Sequence, residues 1–198
     1  MFEEMNELVR SFEDVPIVKI GDYDYFVHPL SDGVKEIRPD LLMMASRCVV
    51  DLMPEKESYE LLLTVESMGI PITTAVSQMI EKPYSIVRKR RYGIRGEIPC
   101  DQMTGYATSE LYLNLPEGPG KLVILDDVLS TGGTLKAVTE AVRRSEWSVG
   151  CAVLLFNKMG DGKQEVSEEL GYPIRTVLDL RFVNGRYVAE PSRNKTVP

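Results

Sequence analysis

The sequence predicts an α/β protein built on a doubly wound, mainly parallel sheet of five strands. Short apolar runs alternate along the chain with segments of helical periodicity, which is the pattern of parallel strands joined by crossover helices. Polar or charged residues directly follow several of these runs, at the edge where ligands of such sheets lie. The five predicted strands are residues 59–65, 84–88, 122–125, 147–156 and 174–178.

The composition is that of a single globular domain, residues 1–198. Of the 198 residues, 43% are hydrophobic and 27% are charged, and a chain of this length buries roughly 70% of its unfolded surface. The net charge of −7 disfavours a nucleic-acid binder. No apolar run is long enough to span a bilayer, and the acidic first ten residues are unlike a signal peptide. We therefore expect a cytoplasmic protein that does not contact a membrane.

The three cysteines and the single histidine form no catalytic or metal-binding motif. Cys48, Cys100 and Cys151 are about fifty residues apart, a spacing that fits neither a zinc site nor a disulfide framework. We expect Cys48 and Cys151 in the core. Cys100 lies in a segment punctuated by Gly and Pro, and we expect it at the surface.

The N-terminal region is predicted to form a small aromatic hood, over about residues 12–30. Residues 2–12 have helical spacing, and residues 17–27 are typical of a strand or hairpin. Aromatic rings in such a hood can stack on a flat ligand. Phe26 is the first candidate for this contact and Tyr25 the second, while the alternative for Phe26 is packing in the core.

The middle of the chain combines a buried sheet with a basic segment. A helix over residues 38–52 precedes the strand at 59–65, and the strand at 84–88 runs into a basic cluster that begins with Arg88 and Lys89. A charge run is usually a solvated face, but in an acidic chain it can also neutralise an anionic ligand. The residues after it, 92–108, lack apolar periodicity, as is typical of a lid.

The stretch 121–135 carries the clearest chemical signal. Its apolar residues 122–125 form a buried strand, and Asp126 and Asp127 stand where that strand ends. Two carboxylates beside a phosphate repel it unless hydroxyls or a cation lie between them, a condition that ribose 5-phosphate meets. The competing interpretation is a plain strand-turn-helix with Asp as a cap. The small residues whose backbone N–H groups can converge on a phosphate are Ser130, Thr131, Gly132, Gly133 and Thr134.

The C-terminal region completes the sheet. Asp179 follows the last predicted parallel strand and either reaches the ligand or caps a turn. Asn184-Gly185 between two alternating runs predicts a hairpin over residues 181–189. The polar residues 192–198 are expected to fray.

The motif Val-Ile-Leu-Asp-Asp-Val-Leu-Ser-Thr-Gly-Gly-Thr at residues 123–134 resembles the phosphoribosyl pyrophosphate signature of the type I phosphoribosyltransferases. The resemblance implies that family's fold, a homodimer, and a mobile flap over about residues 89–112. It also implies transfer of ribose 5-phosphate from phosphoribosyl pyrophosphate to a nitrogenous base. Mg2+ would be bound mainly through phosphoribosyl pyrophosphate, with no direct protein ligand.

The same resemblance implies a role for each candidate residue. Asp126 and Asp127 would hold the ribose hydroxyls, and residues 130–134 would hold the 5-phosphate. Arg88 and Lys89 would act on the leaving pyrophosphate, while Tyr25, Phe26 and Asp179 would contact the base. The pyrophosphate loop would consist of Glu66, Ser67, Met68 and Gly69, assisted by Arg88.

The flap sequence bears on the choice of base. Adenine phosphoribosyltransferases carry Glu-Tyr-Gly where this chain has Gly105-Tyr106-Ala107, so the acidic residue is missing. The pattern around it, from Arg-Lys-Arg-Arg-Tyr-Gly at 88–93 to Glu-Leu-Tyr-Leu at 110–113, resembles the archaeal-type hypoxanthine/guanine phosphoribosyltransferases. That resemblance implies purine salvage with IMP or GMP as product. The alternatives are adenine or xanthine as the base, or a regulator that senses phosphoribosyl pyrophosphate and binds nucleic acid.

Overall fold

A computed structural model describes residues 2–21, 23–101 and 110–194. Its helices are α1 (Phe2–Arg10), α2 (Pro29–Asp32), α3 (Pro39–Leu52), α4 (Gly69–Ile80), α5 (Gly133–Arg143) and α6 (Gly162–Leu170), with a 3-10 turn at Lys56–Ser58. Its strands are β1 (Ile17–Ile20), β2 (Tyr23–Phe26), β3 (Leu61–Val65), β4 (Tyr84–Val87), β5 (Ile98–Asp101), β6 (Glu110–Leu113), β7 (Gly120–Leu129), β8 (Trp147–Asn157), β9 (Ile174–Val183) and β10 (Arg186–Pro191).

The central sheet has the strand order β10-β9-β8-β7-β3-β4. The five strands predicted from the sequence are parallel to one another, which confirms the α/β prediction. A sixth strand, β10, is antiparallel to β9. Asn184 and Gly185 join them with φ values of 50° and 77°, as a tight hairpin turn requires. The predicted hairpin therefore extends the sheet at one edge.

Helices cover both faces of the sheet. Helices α1, α3 and α4 pack with the hood on one face, and α5 and α6 pack with the β5–β6 ribbon on the other. All five residues of β3 are buried, as expected of an apolar strand covered on both sides. The chain order reverses between β3 and β7, because β3 leads outward to β4 whereas β7 leads the opposite way to β8. This reversal opens a crevice at the carboxyl ends of β3 and β7.

The hood is the antiparallel β1–β2 hairpin with α2, and His28 anchors it. The His28 ring is fully buried and stacks on Phe12 at a centroid distance of 4.6 Å. Its Nδ1 accepts from the N–H of Leu30 and its Nε2 lies 2.9 Å from Ser11 Oγ. Burial lowers the pKa of His28 to about 4, so at neutral pH the ring is an uncharged structural contact.

Two parts of the chain differ from the expectation. Cys100 was expected at the surface, but it is 1% exposed and lies in an apolar cluster with Leu111, because β5 packs beneath α5. Asn194 belongs to the segment expected to fray, yet its side chain bonds both backbone groups of Thr176. Over the described ranges, no helix is long and apolar enough to cross a membrane.

Candidate active site

The carboxylate pair lies where β7 loses one of its two neighbours. The pairing of β3 with β7 stops at Thr64 and Leu125, while the pairing of β8 with β7 continues to Leu129. β7 continues four residues past its predicted end at Leu125, so Asp126 and Asp127 lie inside β7 but beyond the end of its pairing with β3. Their side chains stand at the crevice where the chain order reverses.

Burial dominates the electrostatics of this dyad. It raises the pKa of Asp126 well above the ordinary value, and the charge of Asp127 raises it further. Burial also raises the pKa of Asp127, although a hydrogen bond from Asp126 works in the other direction. Two neighbouring carboxyl groups do not ionise independently, and the oxygens of an ionised member can accept hydrogen bonds from hydroxyl groups.

The loop after β7 brings backbone N–H groups to the start of α5. Gly132 has φ +74° and precedes the helix, and the N–H of Gly133 is 3.3 Å from Thr131 Oγ1. A Cβ at Gly132 would lie 3.1 Å from Val166, so both conformation and space favour glycine. The first N–H groups of a helix have no partner within it, and they attract an anion. All five predicted phosphate residues lie in this segment, Ser130 to Thr134.

A second helix start faces the same crevice. Glu66, Ser67 and Met68 form the turn after β3, and Gly69 is the first residue of α4. A Cβ at Gly69 would lie 2.6 Å from Asp126 Oδ1 and 3.3 Å from Asp126 Cα. Because a side chain does not fit there, Gly69 allows this loop to touch the dyad.

Arg88 and Lys89 are held next to that loop by Glu66. Glu66 Oε2 lies 3.2 Å from Arg88 Nε and accepts from the N–H of Lys89 at 3.0 Å. The backbone of Arg88 also pairs with Tyr112, which joins β4 to the β5–β6 ribbon. The structure thus brings Glu66, Arg88 and Lys89 together, with the charge of Arg88 paired with Glu66.

The two hood aromatics have different positions. Phe26 is 2% exposed and packs edge-on against Phe156 and Tyr187, so it is a core residue and offers no ring face to a ligand. This outcome corrects the proposal that Phe26 stacks on a base. Tyr25 is half-buried, and its hydroxyl donates to Asp32 Oδ1 at 2.6 Å. Burial raises the pKa of Tyr25, and the charges of Asp32 and Asp127 raise it further.

Asp179 is part of a hydrogen-bond network at the end of β9. Its Oδ1 accepts from Asn157 Nδ2 at 2.7 Å and from Ser192 Oγ at 2.6 Å. Lys163 Nζ is 3.9 Å away. These contacts tie residue 192 to the sheet.

Sequence reasoning missed Lys158, the residue after β8. Its ammonium group lies over three rings, 5.8 Å from the centroid of Tyr25, 5.0 Å from Phe26 and 5.1 Å from Tyr187. Burial lowers its pKa to about 8. Its position in the sequence could have indicated a role, because Lys158 directly follows strand β8, just as Arg88 directly follows strand β4. A partly buried amine between the hood and the sheet edge can donate to a neutral acceptor.

The β5–β6 ribbon forms the base of the expected flap. Glu97 accepts from the N–H groups of Tyr92 and Gly93 at 2.9 and 2.7 Å, and these bonds lower the pKa of Glu97. The basic segment is thereby folded around a carboxylate. Residues 102–109, which include Gly105-Tyr106-Ala107, lie outside the described residues, so the inference from the missing acidic residue stays a prediction.

Two helix starts and a carboxylate pair thus meet where the chain order of the sheet reverses. The sequence matches the phosphoribosyl transferase domain family over residues 43–182. The chain belongs to this family, as the phosphoribosyl pyrophosphate signature at residues 123–134 predicted.

The chain is also similar over most of its length to proteins named hypoxanthine/guanine phosphoribosyltransferase. Hypoxanthine/guanine phosphoribosyltransferase of Methanococcus vannielii is 44% identical over 90% of this chain and 95% of its own length. The protein of the same name from Methanocaldococcus jannaschii is 41% identical over 91% of this chain and 98% of its own.

Solved structures share the fold. The adenine phosphoribosyltransferase of Rhodothermus marinus superposes with a TM-score of 0.71 at 20% identity, over 91% of this chain and all of that one. The Trypanosoma brucei adenine phosphoribosyltransferase has a TM-score of 0.69 at 17% identity, over 89% of this chain and 79% of that one. This likeness establishes the architecture.

Proposed function

We propose that this protein transfers ribose 5-phosphate from phosphoribosyl pyrophosphate to hypoxanthine or guanine, with IMP or GMP and pyrophosphate as products. The observation that carries the proposal is the arrangement along one edge of the sheet. The start of α5, the dyad and the start of α4 follow one another, in the order in which phosphoribosyl pyrophosphate carries its 5-phosphate, ribose hydroxyls and pyrophosphate.

Each group of this chain has a separate part in the reaction. The backbone N–H groups of 130–134 bind the 5-phosphate, and Asp126 and Asp127 accept hydrogen bonds from the ribose hydroxyls. The loop 66–69 binds the pyrophosphate, with Arg88 and Lys89 beside it. N9 of the purine forms a bond to C1 of the ribose while the bond from C1 to the pyrophosphate oxygen breaks and pyrophosphate leaves with that electron pair. The ring N–H proton of the base is released to water or to the departing pyrophosphate. The half-buried dyad, in its ionised form, stabilises positive charge on the ribose as it develops.

Two observations support a 6-oxopurine as the base. The relatives at 41% and 44% identity carry the name hypoxanthine/guanine phosphoribosyltransferase. In addition, Lys158 stands beside Tyr25 near the dyad, and an amine donor suits a carbonyl oxygen better than an amino group. We propose that Lys158 donates to the 6-oxo group and that Tyr25 borders the base. Asp179 remains a candidate base contact.

Mg2+ belongs to the same proposal. It prefers hard oxygen ligands and retains several of them from substrate or water. Within the described ranges there is no group of three His, Cys, Asp or Glu side chains suited to a metal. We propose that its oxygen ligands come mainly from phosphoribosyl pyrophosphate, as the family resemblance implies. When bound, Mg2+ neutralises charge on the leaving pyrophosphate.

A homodimer and a cytoplasmic location complete the proposal. The dimer is an expectation from the family resemblance. Sedimentation equilibrium of the purified protein at several concentrations tests the dimer. A single species at the monomer mass of 22.3 kDa would reject it.

The direct test is product formation from hypoxanthine, guanine, adenine and xanthine, each with phosphoribosyl pyrophosphate and Mg2+. We expect turnover of hypoxanthine or guanine far above that of adenine. Preference for adenine or xanthine would overturn the base assignment. No turnover of any base, together with tight binding of phosphoribosyl pyrophosphate, would indicate a sensor in place of an enzyme.

Lys158→Met tests the assignment of the 6-oxo contact. We expect kcat/KM for hypoxanthine to fall about tenfold or more, since a hydrogen bond from a charged donor is lost. Binding of phosphoribosyl pyrophosphate, measured by calorimetry, should change little. Lys136→Met, an exposed lysine paired with Glu169, is the matched control. Equal kinetics in the two variants would remove Lys158 from base recognition.

A further inference from the structure

Thr64 carries a buried hydroxyl that has no hydrogen-bond partner among the residues that the structure describes. It is the fourth residue of β3, and its side chain is 0% exposed. A buried hydroxyl without a partner destabilises the fold, so such a group usually has a reason to be there. Val, with the same shape, would avoid this cost.

The position of the Thr64 hydroxyl links it to the dyad. A Cβ built on Gly69 would lie 2.6 Å from Asp126 Oδ1 and nearer still to Thr64 Oγ1. Thr64 Oγ1 and Asp126 Oδ1 each lie within 2.6 Å of this Cβ position, so the two oxygens are separated by no more than twice 2.6 Å. Thr64 is also the last residue of β3 that pairs with β7, beside Leu125. The unpartnered donor thus lies directly beneath the pyrophosphate loop and next to Asp126.

Burial and the charge of Asp127 disfavour the ionised form of Asp126, and a hydrogen-bond donor beside it would offset this effect. The charged groups around the dyad come from several elements: Asp32 from α2 raises the pKa of Asp127, Lys158 lies over the ring of Tyr25, and Arg88 beside the loop is paired with Glu66. Among the residues that the structure describes, no cation lowers the pKa of Asp126. A hydroxyl that rotates toward Asp126 Oδ1 favours the carboxylate over the carboxylic acid.

We propose that Thr64 is a positioning residue of the active site, whose hydroxyl donates to Asp126 when that carboxylate is ionised and aligned for the ribose hydroxyls. Gly69, the first residue of α4, packs against both Thr64 and Asp126. This inference rests on the proposed function, because it takes the dyad as the site of the ribose.

Thr64→Val is the primary test, and Thr64→Ser the conservative variant. In Thr64→Val we expect kcat/KM for phosphoribosyl pyrophosphate to fall about tenfold, as for loss of a hydrogen bond to a charged group. The acidic limb of its pH profile should move to higher pH, because the carboxylate loses a donor that favours it. Thr64→Ser should restore both properties. An equal loss in Ser and Val would indicate a purely steric role and overturn the proposal.

Thr73→Val is the matched control. Thr73 on α4 is also fully buried, and its hydroxyl has no partner among the described residues. Both Val variants should melt at or above the wild-type temperature, since each removes an unpartnered hydroxyl. Only Thr64→Val should change the kinetics. If the Val side chain prevents folding, Thr64→Ala replaces it in the same comparison.

Calorimetry with phosphoribosyl pyrophosphate and Mg2+ separates this proposal from the proposed function. If the wild type binds this ligand but turns over no base, the enzyme assignment fails while weaker binding by Thr64→Val still supports the positioning role. Wild-type kinetics, pH profile and binding in Thr64→Val would overturn the positioning role and leave the enzyme assignment intact.

Discussion

The two helix starts at the crevice are built in opposite ways. Helix α5 begins after small, uncharged residues, and its loop is shaped by Gly132 with φ +74°. Helix α4 begins at Gly69, which touches Asp126, and lies beside the ion pair of Glu66 with Arg88. The first start relies on backbone N–H groups alone, whereas the second combines backbone groups with charged side chains.

This difference matches what each start would bind. A 5-phosphate stays attached to the ribose throughout the proposed reaction, so a rigid backbone site is sufficient for it. A pyrophosphate must be bound and then released, and its charge grows as the bond to C1 breaks. Charged side chains that exchange partners suit that task, because Arg88 can leave Glu66 for the ligand.

The largest expected effect lies between the two helix starts, at the dyad. Asp127→Asn should lower kcat by roughly a hundredfold to a thousandfold, the usual consequence of removing one group that stabilises transition-state charge. The fold should remain intact. Burial raises the pKa of Asp127, so its ionised form costs stability above that pKa, and the variant should melt at or above the wild-type temperature at neutral pH. Unchanged turnover would remove Asp127 from the mechanism.

Gly69→Ala should break the α4 start while Gly133→Ala leaves the α5 start nearly unchanged. A Cβ at Gly69 meets Asp126 Oδ1 at 2.6 Å, but a Cβ at Gly133 meets only Thr131 Oγ1, at 3.4 Å. We expect Gly69→Ala to lose about tenfold or more in kcat/KM and about 1–3 kcal/mol in the free energy of unfolding, as for overpacking.

Steady-state kinetics and chemical denaturation of both variants measure this difference. Gly133→Ala should stay within a few-fold of wild type in kcat/KM. If the two alanines behave alike, the contrast between a crowded and an open helix start is not what governs the site.

The smallest expected effect concerns the ion pair. Glu66→Gln frees Arg88 from its partner, and the pair is partly exposed, with 26% and 36% of the two side chains accessible. Such pairs contribute about 0–1 kcal/mol, so KM for phosphoribosyl pyrophosphate should change by only a few-fold. The change should shrink at high salt. A loss as large as that of Arg88→Gln would mean that Glu66 itself contacts the ligand.

Local patterns in the sequence were sufficient to predict most of the architecture. The five parallel strands and the turn at Asn184-Gly185 depend on apolar runs and on backbone preferences of a few neighbouring residues. The dyad and the phosphate loop lie within one strand-loop-helix unit, 121–135, so their proximity required no knowledge of the rest of the chain.

Contacts between distant segments were decided only by the tertiary structure. Phe26 belongs to the core because Phe156 and Tyr187 surround it, and no pattern in the hood distinguishes that outcome from stacking on a ligand. Lys158 has a lowered pKa only because the hood covers it. Thr64, Gly69 and Asp126 meet because β3 stops short of β7, and burial of this kind is a property of packing that sequence periodicity does not specify.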